Sequence, residues 1–404
     1  LDGGVEQARI DPSNTEIIVQ HLKCAAFELP FRPSERFSGL GPSETEAALD
    51  YLASHGVVHR SRDRYHWATD SFPASHVSLR SIGWDNFVII QRPLDEALAE
   101  LDWHSTPSML HEQAIYQHDG LQYQVEELDY ENHKAYVRLG EPDYFTTALR
   151  NVKVRVLEDE AEATLAPDEA SGAQSQSPKP RHEGPQARTG WSEVCVTEKV
   201  VGYKKIKFHT HENAGYGDVR LPDIDKHTTS FWLTVPAALC AELGRARAIE
   251  GLRGLSHALE LVATVALMCD PHDIGSALED ATPGQPAFDS AARRSEPAST
   301  AAAPGPAHGE EFSATAYLYD NMPGGVGLAE RIFGRAPELA RQAARLVAGC
   351  RCALGCPACV GATAVAAAPA VAEDASRIDR KSAARALATR LGLIAPRSAP
   401  RHDD

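Results

Sequence analysis

No stretch of about 18 uninterrupted apolar residues occurs in this chain, so nothing in it reads as a membrane-spanning helix. The first residues, Leu1-Asp2-Gly3-Gly4, offer neither a basic region nor an apolar one, which leaves no secretory signal to read. A soluble, cytoplasmic protein with no membrane partner is expected. The chain opens on Leu and not Met, as a fragment would. Basic excess is also missing: the formal net charge of −16 excludes a surface that is positive all round, although local clusters remain free to meet phosphates. There is no G-x-x-x-x-G-K-[ST] sequence, hence no phosphate-cradling loop of an ATP-hydrolysing motor. No Ser/His/Asp or Cys/His arrangement can be assembled, and no internal repeat is visible.

What is present begins with cysteine. Of eight, Cys24, Cys195, Cys240 and Cys269 lie singly in apolar stretches, whereas Cys350, Cys352, Cys356 and Cys359 crowd into ten residues. A disulfide framework spreads its half-cystines over a small secreted domain, unlike this. Cys356-Pro357-Ala358-Cys359 makes a C-x2-C knuckle, Gly355 permits the tight turn before it, and Cys350 and Cys352 complete a set of four thiolates. Four soft ligands close a tetrahedral zinc site and leave no position for a reactive water, so the ion is expected to be structural. An iron–sulfur cluster and a redox-active pair are the competing readings.

At 404 residues the chain should divide into two or three domains. The expected class is α+β multidomain: a winged helix, a small β-rich domain and an α/β zinc-binding domain. Residues 1–75 read as the winged helix. Asp11-Pro12 resembles a helix start, with Ile18, Leu22, Ala25 and Ala26 on one face; Ser43 with Glu46 suggests a capping box for a second helix that stops at Gly56. Two short strands around Val57-Val58 and Tyr65-Trp67 then flank Arg60, Arg62 and Arg64. An αβ element with merely solvated arginines is the plainer reading.

Residues 76–158 are rich in β-branched and aromatic runs (Val77–Leu79, Phe87–Ile90, Ala114–Tyr116, Tyr123–Leu128, Ala135–Leu139), with His118-Asp119-Gly120 as a hairpin turn. An antiparallel sheet or barrel is the simplest expectation. Residues 159–190 contain one Leu and no aromatic residue, and are expected to be a disordered linker. Residues 191–360 are assigned to the zinc-binding domain. It is expected to have strands at Val194–Val200, Ile206–Phe208, Phe231–Val235 and Thr315–Tyr319, and an apolar helix over 237–267 divided at Gly244, Gly251 and Gly254. A disordered insertion over 281–310 and helices over 328–333 and 337–348 complete it. Residues 361–404 form an Ala/Pro-rich tail with a short helix.

The turn from Asp320 to Gly327 opens a helix but has no Lys or Arg behind its glycines, which favours tight packing over phosphate binding. Cys269, Asp270, His272 and Asp273 read as a buried cysteine beside a polar helix terminus, and His209, His211 and Glu212 as a solvated strand end. Arg60, Arg62 and Arg64, with Lys204, Lys205 and Lys207, are the candidate DNA contacts, and Tyr65, Trp67 or Tyr203 the candidate stacking residues.

Several strings carry a family resemblance. They are Ala8 to Asn14 with Leu22 to Leu29, Ala114-Ile115-Tyr116, Tyr123-Gln124-Val125, Gly202-Tyr203-Lys204-Lys205, Met268 to Gly275, Tyr319 to Gly327 and the cysteine cluster. Together they resemble the C-terminal half of the Hrq/MrfA-like superfamily 2 DNA helicases, related to RecQ-like repair helicases, whose tail holds a four-cysteine DUF1998-type domain. The resemblance implies the accessory region of an ATP-dependent 3′ to 5′ DNA helicase acting in DNA repair. Its partners would be single-stranded or forked DNA and RecA-like motor domains joined in cis or in trans, and ATP would be used only by those motors. The alternative is a zinc-stabilised protein-interaction subunit that serves a separate helicase, for example in phage defence.

Overall fold

The computed structural model describes residues 14–77, 79, 86–165, 186–281, 312–361 and 378–395. Helix α1 (Thr15–Glu28) is capped by Asn14, whose side chain accepts from the amides of Glu16 and Ile17. The expected start at Asp11-Pro12 lies outside the described residues. Helix α2 (Pro42–Ser54) begins earlier than Ser43 suggests. Gly41 is its N-cap, and Glu44, not Glu46, returns its carboxylate to the Gly41 amide at 2.6 Å. Glu46 instead sits on the helix surface facing Arg60.

The hairpin of β1 (Val58–Arg60) and β2 (Tyr65–Trp67) follows, and Phe31 bridges to Tyr65 as a further pairing. Strand alternation sends Val58 and Tyr65 inward to join Leu22, Ala26, Leu49 and Leu52 in one small core. This is the expected winged-helix outline.

The second body holds β3 (Phe87–Arg92), β4 (Glu96–Leu101), the short helix α3 (Thr106–Met109), β5 (Ile115–His118), β6 (Leu121–Asp129) and β7 (Lys134–Gly140). Its sheet runs β4-β3-β7-β6-β5, with β3 parallel to β7, so the antiparallel expectation is corrected to a mixed sheet. The missed strand β4 reads Glu-Ala-Leu-Ala-Glu-Leu, all good helix formers, and only pairing with β3 makes it extended. Val77 lies outside any strand. The turn at Asp119-Gly120 is as expected, with φ of 47° and 78° at its two central residues.

The third body starts earlier than its sequence suggests. Strand β8 (Tyr144–Thr164) pairs along its whole length with β9 (Arg188–Lys207). The expected boundary at 158 and the linker limits of 159 and 190 are therefore corrected: 159–164 and 188–190 are paired strand, and residues 166–185 lie outside the described set. Ladder hydrogen bonds order this segment, which side-chain burial alone would not. Strands β10 (Asn213–Asp218) and β11 (Ile224–Val235) share the other side of β9. Helices α4 (Ala237–Leu243) and α5 (Arg245–Leu267) follow, then β12 (Ile274–Ala281) and β13 (Ser313–Asp320), which extend the sheet beyond β11. Most of the insertion expected over 281–310 lies outside the described residues.

Helices α6 (Leu328–Gly334), α7 (Ala336–Gly349) and α8 (Arg380–Arg390) complete the body. The helices cover one face of the sheet through Phe231, Leu233, Leu255, Leu318, Leu339 and Leu387. The other face carries Val194, Val196, Trp232, Tyr317 and Tyr319. Only Gly244 divides the 237–267 segment, at a φ of 83°. Gly251 and Gly254 stay inside α5, where a Cβ would meet Ala383 O at 2.9 Å and Ala384 Cβ at 3.1 Å. They let α8 approach closely, so the short helix expected in the 361–404 tail packs into this core, while residues 362–377 and 396–404 lie outside the described set.

Among the contacts that tie the bodies together, the amide of Ile115 in β5 donates to Thr146 Oγ1 in β8 at 2.9 Å, and two others bear on the sites below. His111, fully buried, stacks on Tyr203 with centroids 4.7 Å apart. Asn14 Nδ2 donates to Pro323 O at 2.8 Å and Gly325 O at 3.1 Å, so the cap of α1 is held by the turn before α6. Among the described residues no helix is long and apolar enough to cross a membrane.

Candidate metal centre

Helix α7 positions the first thiol. Pro337 stands in its first turn, and Leu339, Ala340, Ala343, Ala344 and Val347 form the buried stripe that anchors it under the sheet. It ends at Gly349, and Cys350 leaves in extended conformation with its amide still on Leu346 O at 3.1 Å. The chain reverses at Gly355, whose φ is 113°, and the amides of Cys359 and Val360 both donate to Cys356 O, at 3.0 and 3.1 Å. That tight loop brings all four Sγ atoms within 4.8 Å of one another. Individual separations are 3.7 Å for Cys350 to Cys356, 3.5 Å for Cys352 to Cys359 and 3.6 Å for Cys356 to Cys359.

These distances are too long for disulfides and match the edges of a tetrahedron of roughly 3.8 Å that Zn–S bonds of about 2.3 Å require. A cluster of two or four irons would hold at least some of its four cysteines farther apart, since the sulfurs are divided among different irons. One four-coordinate ion is what the quartet fits. The surroundings bias the thiols unevenly. Burial opposes ionisation of Cys352, but hydrogen bonds from Cys350, Cys359 and Lys381 draw it down to about 7. Burial pushes Cys359 up. Among the described residues, no other three or more His, Cys, Asp or Glu groups converge in this way.

The turn at 320–327 proves to be built around its own carboxylate. Asp320, 1% exposed, accepts from Val326 N at 2.9 Å, Leu328 N at 3.3 Å and Thr229 Oγ1 at 3.0 Å. The amides that a phosphate would need are thus already used, in agreement with the packing reading. Gly325 has to be glycine: φ is 78°, and a Cβ would stand 2.7 Å from Thr229 Oγ1. Burial raises Asp320 to about 6 against the amide and hydroxyl hydrogen bonds, while its Oδ1 has no partner.

A folded-state pKa above the ordinary 3.8 contributes stability that is complete below 3.8 and is lost as pH rises through about 6. The shift corresponds to about 2–3 kcal/mol. In Asp320→Asn this dependence should vanish. The difference in denaturation free energy between wild type and variant should therefore change by that amount between pH 4 and pH 8, and a difference that stays constant would contradict the assignment.

The candidate DNA contacts form two separate groups. Arg60 is engaged by Asp50 at 2.6 Å and Glu46 at 3.0 Å and lies over the Tyr65 ring. Arg62 is exposed at the hairpin tip, and Arg64 lies half-buried beside Asp63. At the far end of the β9–β10 hairpin, Lys204 lies over Tyr216 at 6.0 Å and Lys205 over Tyr144 at 5.0 Å, while Lys207 is exposed. Two stacking candidates are corrected. Tyr65 is buried with its hydroxyl on Asp50, and Tyr203 is buried against His111, because strand alternation turns both inward. Trp67 is half-buried and meets Phe27 edge-on. The aromatic residues that do accompany the lysines, Tyr144 and the 49% exposed Tyr216, come from neighbouring strands and carry no sequence-local signal.

Next to the metal loop lies a cavity of about 340 Å³ lined by Arg150, Lys153, Arg253, His257, Glu260 and Arg380. Two of these lining residues, Arg253 and Arg380, share Glu250 as an ion-pair partner. His209, His211 and Glu212 are exposed, as a solvated strand end should be. Asp270 caps a short 3-10 turn, Pro271–Asp273, by accepting from the His272 amide, and the two side chains pair at 2.8 Å.

Residues 10–82 match the family model of the winged helix domain of the ATP-dependent helicase HRQ1, and residues 255–360 match the MrfA Zn-binding domain. The uncharacterized ATP-dependent helicase YprA of Bacillus subtilis (strain 168) is 37% identical over 353 residues, covering 86% of this chain and 40% of that protein. A crystal structure of the DUF1998 helicase MrfA superposes with a TM-score of 0.50 at 30% identity, over 88% of this chain and 44% of that one. Another MrfA crystal structure, bound to DNA, gives 0.48 at 32% identity over 96% and 44%. The chain thus spans less than half the length of these relatives.

Proposed function

We propose, for a chain that matches the C-terminal-half region of Hrq/MrfA-like helicases, that it is the DNA-binding accessory region of an ATP-dependent helicase. Its DNA would be single-stranded or forked, its work 3′ to 5′ unwinding in DNA repair, and its location the cytoplasm. ATP hydrolysis falls to RecA-like motors joined in cis or in trans. The observation that carries the reading is the winged helix and the four-cysteine domain in one chain, the α1 cap locked onto the turn before α6. That linkage lets a load on one domain reach the other.

The four thiolates of Cys350, Cys352, Cys356 and Cys359 would hold a structural Zn2+, which supplies a cross-link and no reactive position. Arg62 and Arg64 on one hairpin, and Lys204, Lys205 and Lys207 on the other, would lie along the phosphate backbone, with Tyr216 exposed beside them. Arg60 contributes less, since two carboxylates already hold it. Basic side chains that neutralise phosphates release counterions, so affinity should fall as salt rises, with a slope of about −0.7 per contact on single strands.

Replacing Arg62, Arg64, Lys204, Lys205 and Lys207 with Glu should lower the affinity for a labelled single-stranded or forked oligonucleotide on the order of 10- to 100-fold and flatten the salt slope. Arg60→Gln should change either little. Fluorescence anisotropy at two salt concentrations reads both quantities. Wild-type chain that ignores DNA but captures a helicase motor lacking its own tail would instead support the protein-interaction subunit.

A further inference from the structure

Lys381 is 5% exposed, a depth at which lysine is rare unless it is paired. Its partners are all in the metal loop. The ammonium donates to Cys350 O at 2.7 Å, to Cys352 O at shorter range, and to Cys352 Sγ at 3.3 Å. It reaches them from α8, beyond the residues 255–360 that match the Zn-binding domain. The helix is held in place for this. Its neighbour Arg380 bonds Glu250 at 2.7 Å and Val360 O at 3.3 Å, and Gly251 and Gly254 give Ala383 and Ala384 room against α5.

Four thiolates around a dication leave a surplus of two negative charges, and holding that surplus at a partly buried site, with Cys359 fully enclosed, is costly. A buried ammonium against one sulfur removes half of the surplus and donates to the thiolate, while fixing the two carbonyls that set the loop's shape. We infer that Lys381 is the outer-sphere counter-charge of the metal centre, and that α8 is a working part of that centre and not a tail behind it. This rests on the zinc reading given above.

The test uses the full chain. Wild type should carry one zinc per chain by elemental analysis and release it slowly to an excess of a chromogenic chelator. Lys381→Met keeps the length of the side chain without its charge, and Lys381→Gln keeps a donor without the charge. Both should release zinc on the order of 10- to 100-fold faster, the usual range for losing an outer-shell partner. Lys381→Arg, which retains the charge, should stay closer to wild type than either. A merely structural role would leave Gln and Arg alike, and that result would overturn the inference, as would wild-type release rates in Met and Gln. Should Met fail to fold by circular dichroism, the Gln and Arg pair decides the matter alone. Wild-type protein without zinc would overturn the metal reading itself, a separate outcome.

Discussion

Cys359→Ser should empty the metal centre and unfold the α5–α7–α8 half of the molecule. Cys359 is fully buried, its Sγ stands 3.5 and 3.6 Å from two other thiols, and its neighbour Val360 packs in the main core. Structural zinc in small domains contributes about 10–16 kcal/mol of binding free energy that is also folding free energy. Trading one thiolate for a hydroxyl forfeits much of it, and the expected loss exceeds the 4–5 kcal/mol that marks an exceptional substitution. Elemental analysis should give well under one zinc per chain, and thermal unfolding should lose its C-terminal transition. Cys24→Ser, placed on α1 in the winged helix, should leave both unchanged. Full stability of Cys359→Ser without metal would show that the sheet and helices hold the loop unaided.

Gly190→Ala should strongly destabilise the third body. A Cβ at Gly190 would sit 2.3 Å from Trp232 Cζ2 and 2.5 Å from the backbone oxygen of Ala161. Neither can yield cheaply. The oxygen belongs to β8 in its ladder with β9, and Trp232 is fixed by Nε1 on Ser192 Oγ at 2.9 Å, which itself donates to Asp159 at 2.7 Å. Overpacking of this kind typically costs about 1–3 kcal/mol, and with backbone on one side and a bonded indole on the other, roughly 3 kcal/mol or more is expected. The cooperative unfolding of this domain, followed by tryptophan fluorescence, should shift accordingly. Were 186–190 a loose linker, alanine would be harmless there; the same measurement thus tests whether the β8–β9 ladder extends so far.

Much of the architecture was legible because short-range rules decide it. The hairpin at Asp119-Gly120 needs left-handed residues, the stripe of α7 repeats at helical spacing, and β13 carries Thr315, Tyr317 and Tyr319 at alternate positions before a glycine turn. Strand β4 was not legible, since its Glu, Ala and Leu residues favour helix until β3 offers a partner. The limits of β8 and β9 were hidden for a related reason: backbone pairing orders residues whose side chains bury little. Gly251 and Gly254 read as breaks, although their purpose is to admit a helix more than a hundred residues away.

By itself, the sequence singled out the four clustered thiols, which the fold gathers within 4.8 Å of one another, because cysteines spaced so closely with a glycine between them have few other uses, and it determined the winged helix from two helices and a basic hairpin. The tertiary structure alone decided what surrounds them. It turned Tyr65 and Tyr203 inward, tied Arg60 to Glu46 and Asp50, filled the glycine turn with the Asp320 carboxylate, and brought Lys381 back to the sulfurs. Such contacts join residues distant along the chain, and a charge or aromatic ring acquires its role from whatever the fold places against it.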